Sequence, residues 1–240
     1  MKIVVIADVH ANLPALKAVL NTICEEGYDA VFHVGDAIGI GPYPAETLDL
    51  LLNTSNAHLI MGNHDDWFIN GLPEPQPEWM SDGEVEHQHW THAQVDPQLK
   101  PLVAAWPYQI EQEWEGIPMS FLHYGFLGTS FDWASIIHEP TARDLDQLFQ
   151  RQAGELIFYG HTHHLVDQRS QARYVNPGSL GCHTEAIARY TLATIVKDAV
   201  DISHQEVSYD DRELFATFEQ REVPARQFIY KAFFGGRFAN

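Results

Sequence analysis

The first apolar segment, residues 3–7 (Ile-Val-Val-Ile-Ala), is continuous rather than alternating, which predicts a strand buried on both faces. Asn12 then stands where a helix cap belongs, with Pro14 in the first turn. Leu13, Leu16, Val19, Leu20, Ile23 and Cys24 recur at helical spacing until Gly27 stops the helix. Residues 30–34 and 58–61 read as two further strands, with a short helix over 46–52 between them. A strand–helix–strand–helix–strand opening predicts a parallel sheet with right-handed crossovers.

That rhythm stops at residue 67. Residues 67–115 carry Pro73, Pro75, Pro77, Trp79, Trp90, Trp106 and Trp114, and read as a cap-like insertion with short helices, one of them over 98–105. Strands return at 110–114 and 117–122 around Glu115-Gly116, a tight-hairpin signal. A helix over 141–152 and a strand over 155–159 come next. A second hairpin, 190–196 with 200–207, turns at Lys197-Asp198-Ala199, and helices over 210–219 and 225–233 close the chain. A single domain over 1–240 with an insertion at about 67–116 is the expected organisation.

Where these strands end, polar clusters begin. They are Asp8-Val9-His10, Gly35-Asp36, Gly62-Asn63-His64-Asp65, His123-Tyr124-Gly125 and Gly160-His161-Thr162-His163. Functional groups in α/β sheets gather at the carboxyl ends of strands, so five such clusters can converge on one site. Each alone has a bland reading as a turn, a loop pair or a helix cap; five in order behind strands do not. Imidazole mixed with oxygen ligands suits manganese, iron, zinc or nickel better than calcium or magnesium. Seven ligand residues exceed one tetrahedral zinc site and suit two divalent transition-metal ions sharing a carboxylate.

Composition narrows the partners. Lys and Arg number 14 against 33 Asp and Glu, for a formal charge of −19. This argues against a nucleic-acid polymer or an anionic membrane as partner. It leaves room for an anionic small substrate, because bound metal reverses the local field. No apolar stretch approaches the roughly 20 residues of a membrane span, and Met1-Lys2 with five apolar residues is no signal peptide. Two cysteines, Cys24 and Cys182, form no framework, so a reducing cytoplasm is expected.

The cluster set resembles the calcineurin-like metallophosphoesterase superfamily. The stretches Ala7-Asp8-Val9-His10-Ala11-Asn12-Leu13, Gly41-Pro42-Tyr43-Pro44 and Asn176-Pro177-Gly178-Ser179 resemble its small bacterial and archaeal phosphodiesterase-like branch. The resemblance implies an α/β fold, a four-layer α/β/β/α sandwich of two mixed sheets flanked by helices. It implies one metal on Asp8, His10, Asp36 and His163 and a second on Asp36, Asn63, His123 and His161, with Asp36 bridging. It implies hydrolysis of a phosphodiester or phosphomonoester, a small ester or nucleotide, by in-line attack of a hydroxide bridging the metals. The resemblance assigns His64 to the leaving-group oxygen or the phosphoryl charge, a general-acid role, with Asp65 orienting its ring. The Asp-Arg-Gly of the superfamily's protein phosphatases is missing: the segment reads Gly35-Asp36-Ala37-Ile38-Gly39. That departure disfavours phosphoprotein substrates.

The remaining histidines read more plainly. His33 is expected as a hydrogen-bonded core residue, and His87, His89 and His92 as a solvated cap segment rather than an accessory metal site. His183 is a candidate substrate contact, and Cys182 a packing residue. The competing function class is a non-catalytic scaffold or interaction protein on the same fold. A pure scaffold has no need of His64, and the chain retains it along with every inferred ligand.

Overall fold

A computed structural model describes residues 1–125, 133–197 and 199–238. The continuous apolar opening forms β1 (Lys2–Ile6), which runs parallel to β2 (Ala30–His33) and β3 (Ala57–Leu59). The crossovers are α1 (Leu13–Glu26) and α2 (Pro44–Leu52). Asn12 caps α1 by accepting the Ala15 N–H, and Gly27 ends it. Next come α3 (Asn63–Asn70), α4 (Asp82–Gln94), a 3₁₀ turn (Pro97–Leu99) and α5 (Lys100–Val103). A second sheet begins with the hairpin β4 (Gln109–Trp114) and β5 (Ile117–Leu122) and continues through α6 (Ala142–Leu148) to β6 (Leu156–Phe158). It is completed by β7 (Leu165–Arg169) and β8 (Arg173–Pro177). The chain then returns to the first sheet as β9 (Ile187–Val196) and β10 (Ala199–Ser208), and ends in α7 (Arg212–Gln220) and α8 (Arg226–Phe233).

The sheets have the orders β10-β9-β1-β2-β3 and β4-β5-β6-β8-β7, and each mixes parallel and antiparallel pairs. Strand alternation builds the layers. Ile3, Val5 and Ala7 point between the sheets, where Phe32 stacks on Phe121 and Phe121 on Phe158. Val4 and Ile6 point outward, under Leu16, Val19 and Ile23 of α1. On the far side of the second sheet, Ile157 and Tyr159 pack on Leu145 and Phe149 at α6. This is the expected four-layer sandwich. A fourth cluster ties α7 and α8 to Ile40 and Tyr43 through Phe215, Phe218 and Tyr230.

Some expectations need correction. Residues 82–94 form one helix of 13 residues where only short helices were expected. The helix over 98–105 is a 3₁₀ turn followed by a single α-turn. The hairpin β7–β8 was not anticipated, because its Leu-Val-Asp-Gln-Arg strand is mostly polar and exposed. Trp106 and Trp114 belong to the helix–sheet and inter-sheet cores, and β4 is part of the second sheet. The helical part of 67–116 therefore centres on α4. Asp198, in the expected second turn, lies outside the described residues.

Candidate metal centre

The ends of β1, β2, β5 and β6 and the start of α3 deliver the five clusters to one place. Sharp turns aim them: Asp8, His10, Asp36, His161 and His163 all have left-handed backbone, with φ between 47° and 69°. Such conformations cost non-glycine residues energy and persist where the surroundings fix them. Glycine is required beside them. A Cβ on Gly62 would lie 2.2 Å from the Asp36 amide nitrogen, and one on Gly35 would lie 2.5 Å from His123 Nδ1.

The seven expected ligands come together around one carboxylate. Asp36 Oδ1 accepts the His64 backbone N–H at 2.9 Å. Its Oδ2 faces His123 Nε2 at 3.2 Å and His10 Nε2 at 3.8 Å. On one side, His10 Nε2 meets His163 Nε2 at 2.8 Å, with Asp8 Oδ1 at 3.9 Å and 3.7 Å from the two rings. On the other, His123 Nε2 lies 3.1 Å from both Asn63 Oδ1 and His161 Nδ1.

Backbone carbonyls set the histidine tautomers. His10 donates Nδ1–H to Ile38 and His123 donates Nδ1–H to Val34. In the neutral rings each Nε2 therefore carries a lone pair directed into the site, as in metal-ligating histidines. Ring nitrogens and carboxylate oxygens gathered this closely can hold a cation. Metal-compatible groups are formed by Asp36, His123 and His161, by His10, Asp36 and His64, and by His10, His163 and Cys182.

The electrostatics agree. Burial holds His10, His161 and His163 below the usual imidazole range, the last two at about 3 and about 4, so they stand ready as neutral donors. Burial also pushes the Asp8 carboxyl up to about 8, with His123 opposing and Asp36 adding to the rise. For Asp36, burial is outweighed by His123, His64 and His10, and the carboxyl sits well below its ordinary range. Burial opposes charge on His123, yet Asp36 and Asp8 raise it to about 9. Positive charge is thus favoured where the two donor groups meet.

Asp65 departs from its expected role. Its carboxylate accepts the backbone N–H groups of Asp36, Ala37 and Gly62 at 2.9–3.0 Å, and so fixes the turn that carries Asp36. The ring of His64 is held from another element: Gln88 Nε2 on α4 lies 2.8 Å from His64 Nδ1. His64 itself stands edge-on to His10, with ring centroids 5.0 Å apart.

Other residues, given no role at the site by the sequence, also brace it. Ser179 Oγ donates to the Asp8 carbonyl at 2.7 Å, and Asn176 Nδ2 donates to the Gly160 carbonyl at 2.8 Å, so the Asn-Pro-Gly-Ser turn locks two ligand loops. Trp133 stands against the rings of His123 and His161. A small-residue turn and a lone tryptophan gave no periodic signal.

His33 is buried as expected, but neither ring nitrogen has a hydrogen-bond partner; burial lowers it to about 3, and it packs edge-on to Trp106. His87 is buried against Trp90, His92 lies against Phe68 and His89 is exposed, so the three do not converge. The solvated reading fails for His87, which sits with Gln88 and Thr91 on the inner face of α4. His183 is half-buried, and its Nδ1 accepts the Glu185 N–H at 3.0 Å. Cys182 is buried in the cluster beneath α7 and α8, and both cysteines are free.

No helix among the described residues is long and apolar enough to cross a membrane. The uncharacterized protein MJ0912 of Methanocaldococcus jannaschii is 24% identical over 238 residues, covering 92% of this chain and 93% of its own. The crystal structure of hypothetical protein PH1004 from Pyrococcus horikoshii shares the fold across 98% of both chains, at 21% identity and a TM-score of 0.80. A metallophosphoesterase from Sphaerobacter thermophilus does so at 23% identity and a TM-score of 0.71, over 94% of this chain and 95% of that one. Residues 1–198, from β1 through β9, match the model of the calcineurin-like phosphoesterase superfamily domain, and the chain belongs to that superfamily.

Proposed function

We propose that this protein is a cytoplasmic hydrolase of small phosphate esters, mono- or diesters, that works with two divalent transition-metal ions. The observation that carries the reading is the placement of Asp36 Oδ2 between two donor groups, facing His10 Nε2 on one side and His123 Nε2 on the other. Asp8, His10, Asp36 and His163 would hold one ion; Asp36, Asn63, His123 and His161 would hold the other. Bound there, the ions would supply Lewis-acid charge for the phosphoryl oxygens and acidify a water to serve as nucleophile.

The chain's own residues do the rest. Asp65 and Ser179 keep the Asp36 and Asp8 turns in place through backbone contacts. His64 gives a proton to the departing ester oxygen, a role worth typically ~10²–10⁴-fold in rate. Its Nδ1 is engaged by Gln88, which leaves Nε2 for that oxygen. The segment around α4 acts as a cap over the His64 side of the cleft and limits water there. Asp82, Glu84 and Glu86 on α4, with Glu74 and Glu78 before it, disfavour long polyanions.

The test is metal analysis of the purified protein, followed by hydrolysis of bis(p-nitrophenyl) phosphate before chelation, after it, and after manganese is restored. Activity that disappears with the metal and returns with it supports the reading. Full activity in rigorously metal-free protein, or none with any divalent ion on any ester tried, refutes it.

A further inference from the structure

Beside His64 lies a cavity of about 190 Å³ between α4 and α8. One wall is α4, through Glu84 and Gln88; the opposite wall is α8, through Phe228 and Phe233; Ile40 and the His64 ring close the inner end. Helix α8 lies beyond residue 198, where the family match stops. The cavity adjoins the metal centre at both ends of its inner edge. His64 stands against His10, and the Phe233 ring lies 5.9 Å from the ring of His163. A phosphate group held between the two donor sets would therefore point one ester arm into this space, on the side of the residue that protonates the leaving oxygen.

The lining states what that arm can be. Among the described residues, no Lys or Arg borders the cavity and Glu84 is its one acidic neighbour. A second phosphate or a carboxylate on the arm would meet the Glu84 carboxylate with no Lys or Arg to offset it; the other polar side chains there are His64, His87 and Gln88. The walls are otherwise largely aromatic and aliphatic. Phe228 remains 65% exposed, a position that leaves its ring free to cover an apolar group. An apolar protein cavity of roughly 150 Å³ takes up benzene, so the volume suits one ring.

We infer that this cavity is the leaving-group subsite and that it selects phosphate esters whose leaving group is an uncharged, ring-sized apolar alcohol. The inference rests on the proposed phosphoesterase reading and sharpens its substrate class. In the reaction, the bond from phosphorus to the ester oxygen breaks and its electron pair stays on that oxygen, which takes the His64 proton and departs as the alcohol. Water oxygen forms the new bond to phosphorus, and the proton water gives up restores His64.

The test uses three esters whose alcohols leave with similar intrinsic ease: benzyl, ethyl and 2-carboxyethyl phosphate, each also as the methyl diester. They are assayed on the full chain with manganese. The benzyl ester should exceed the ethyl ester in kcat/KM by roughly ten- to a hundredfold, the effect of burying one ring. The carboxyethyl ester should fall below the ethyl ester. Phe228→Ala should shrink the benzyl-to-ethyl ratio, and Glu84→Lys should raise the carboxyethyl-to-ethyl ratio. Equal turnover of benzyl and ethyl esters, or a preference for the anionic ester, overturns the subsite while leaving the phosphoesterase reading intact. Binding of benzylphosphonate and ethylphosphonate, followed by calorimetry, separates the two readings if no ester turns over. Tighter benzylphosphonate binding that Phe228→Ala abolishes then supports the subsite and refutes the reaction; equal binding refutes the subsite.

Discussion

The side-chain amide of Gln88 reaches His64 Nδ1 at 2.8 Å, while its own carbonyl oxygen has no hydrogen-bond partner. The amide nitrogen suits a neutral His64, and a turn of the amide would offer the oxygen to a protonated ring. One residue can thus hold the imidazole in place in both states. Gln88→Leu should keep the metals but lower turnover of alkyl esters by roughly ten- to a hundredfold, part of the full general-acid effect. p-Nitrophenyl esters, whose leaving group departs without help, should lose much less. His64→Ala sets the upper limit of the effect. An equal loss on both ester types, or loss of metal in His64→Ala, would show that the acid has been misassigned.

Asp36→Asn should cost more bound metal and more activity than His163→Ala. Oδ2 of Asp36 faces both donor groups, whereas His163 meets His10 and Asp8 of one group. Metal stoichiometry of the two purified variants decides it. Equal stoichiometry would remove Asp36 from the bridging position.

Asp65→Asn should destabilise the protein by about 1.5–3 kcal/mol, the scale of hydrogen bonds to a charged group. The carboxylate receives three backbone N–H groups in a buried setting, and an amide would turn an N–H toward one of them. Denaturant unfolding measures the loss. Unchanged stability would mean the turn around Asp36 holds itself.

Chelation should lower the melting temperature, and re-addition of manganese should restore it. Folding brings His10 and His163, and His123 and His161, together beside the Asp8 and Asp36 carboxylates, and a cation bound among them would tie these segments to one another. At a metal concentration of a hundred times Kd the stabilisation is about 2.7 kcal/mol. A melting temperature indifferent to chelator would contradict the site.

His87 should make the metal-free protein less stable in mild acid. Burial, followed by the nearby His64, lowers its pKa to about 4, against roughly 6.5 in the unfolded chain. Between those values the unfolded state binds a proton that the folded state refuses, so stability falls as pH drops below about 6.5. The loss between pH 7 and pH 5 should be smaller in His87→Gln by about 2 kcal/mol. Identical losses would mean His87 can charge in place.

The sheet and the ligands were legible for one reason. Strands buried on both faces are continuous apolar runs, and the ligands follow them directly, as with Ile3 to Asp8 and Leu156 to His161. Helix α4 was hidden because its buried face is polar: His87, Gln88 and Thr91 carry the helical spacing that apolar residues carry in α1. Gln88 could not be tied to His64, since nothing local relates residues 24 apart that meet only through tertiary packing. Asp65 was misread because the family resemblance paired it with His64, while the helix start turns its carboxylate back toward Asp36 and Gly62.

The ligands are also distributed in a way that bears on how the molecule comes into being. Asp8, His10, Asp36 and Asn63 arrive with the first sheet, whereas His123, His161 and His163 arrive with the second, and His10 meets His163 across 153 positions of chain. During synthesis the amino-terminal third carries half a coordination shell and nothing to complete it. A full set of donors exists only once the strand ends of both sheets stand together, and the first sheet itself is finished by β9 and β10, after the second has been made. On the proposed reading a bound metal would therefore tie the two sheets to each other, and its loss would loosen one from the other.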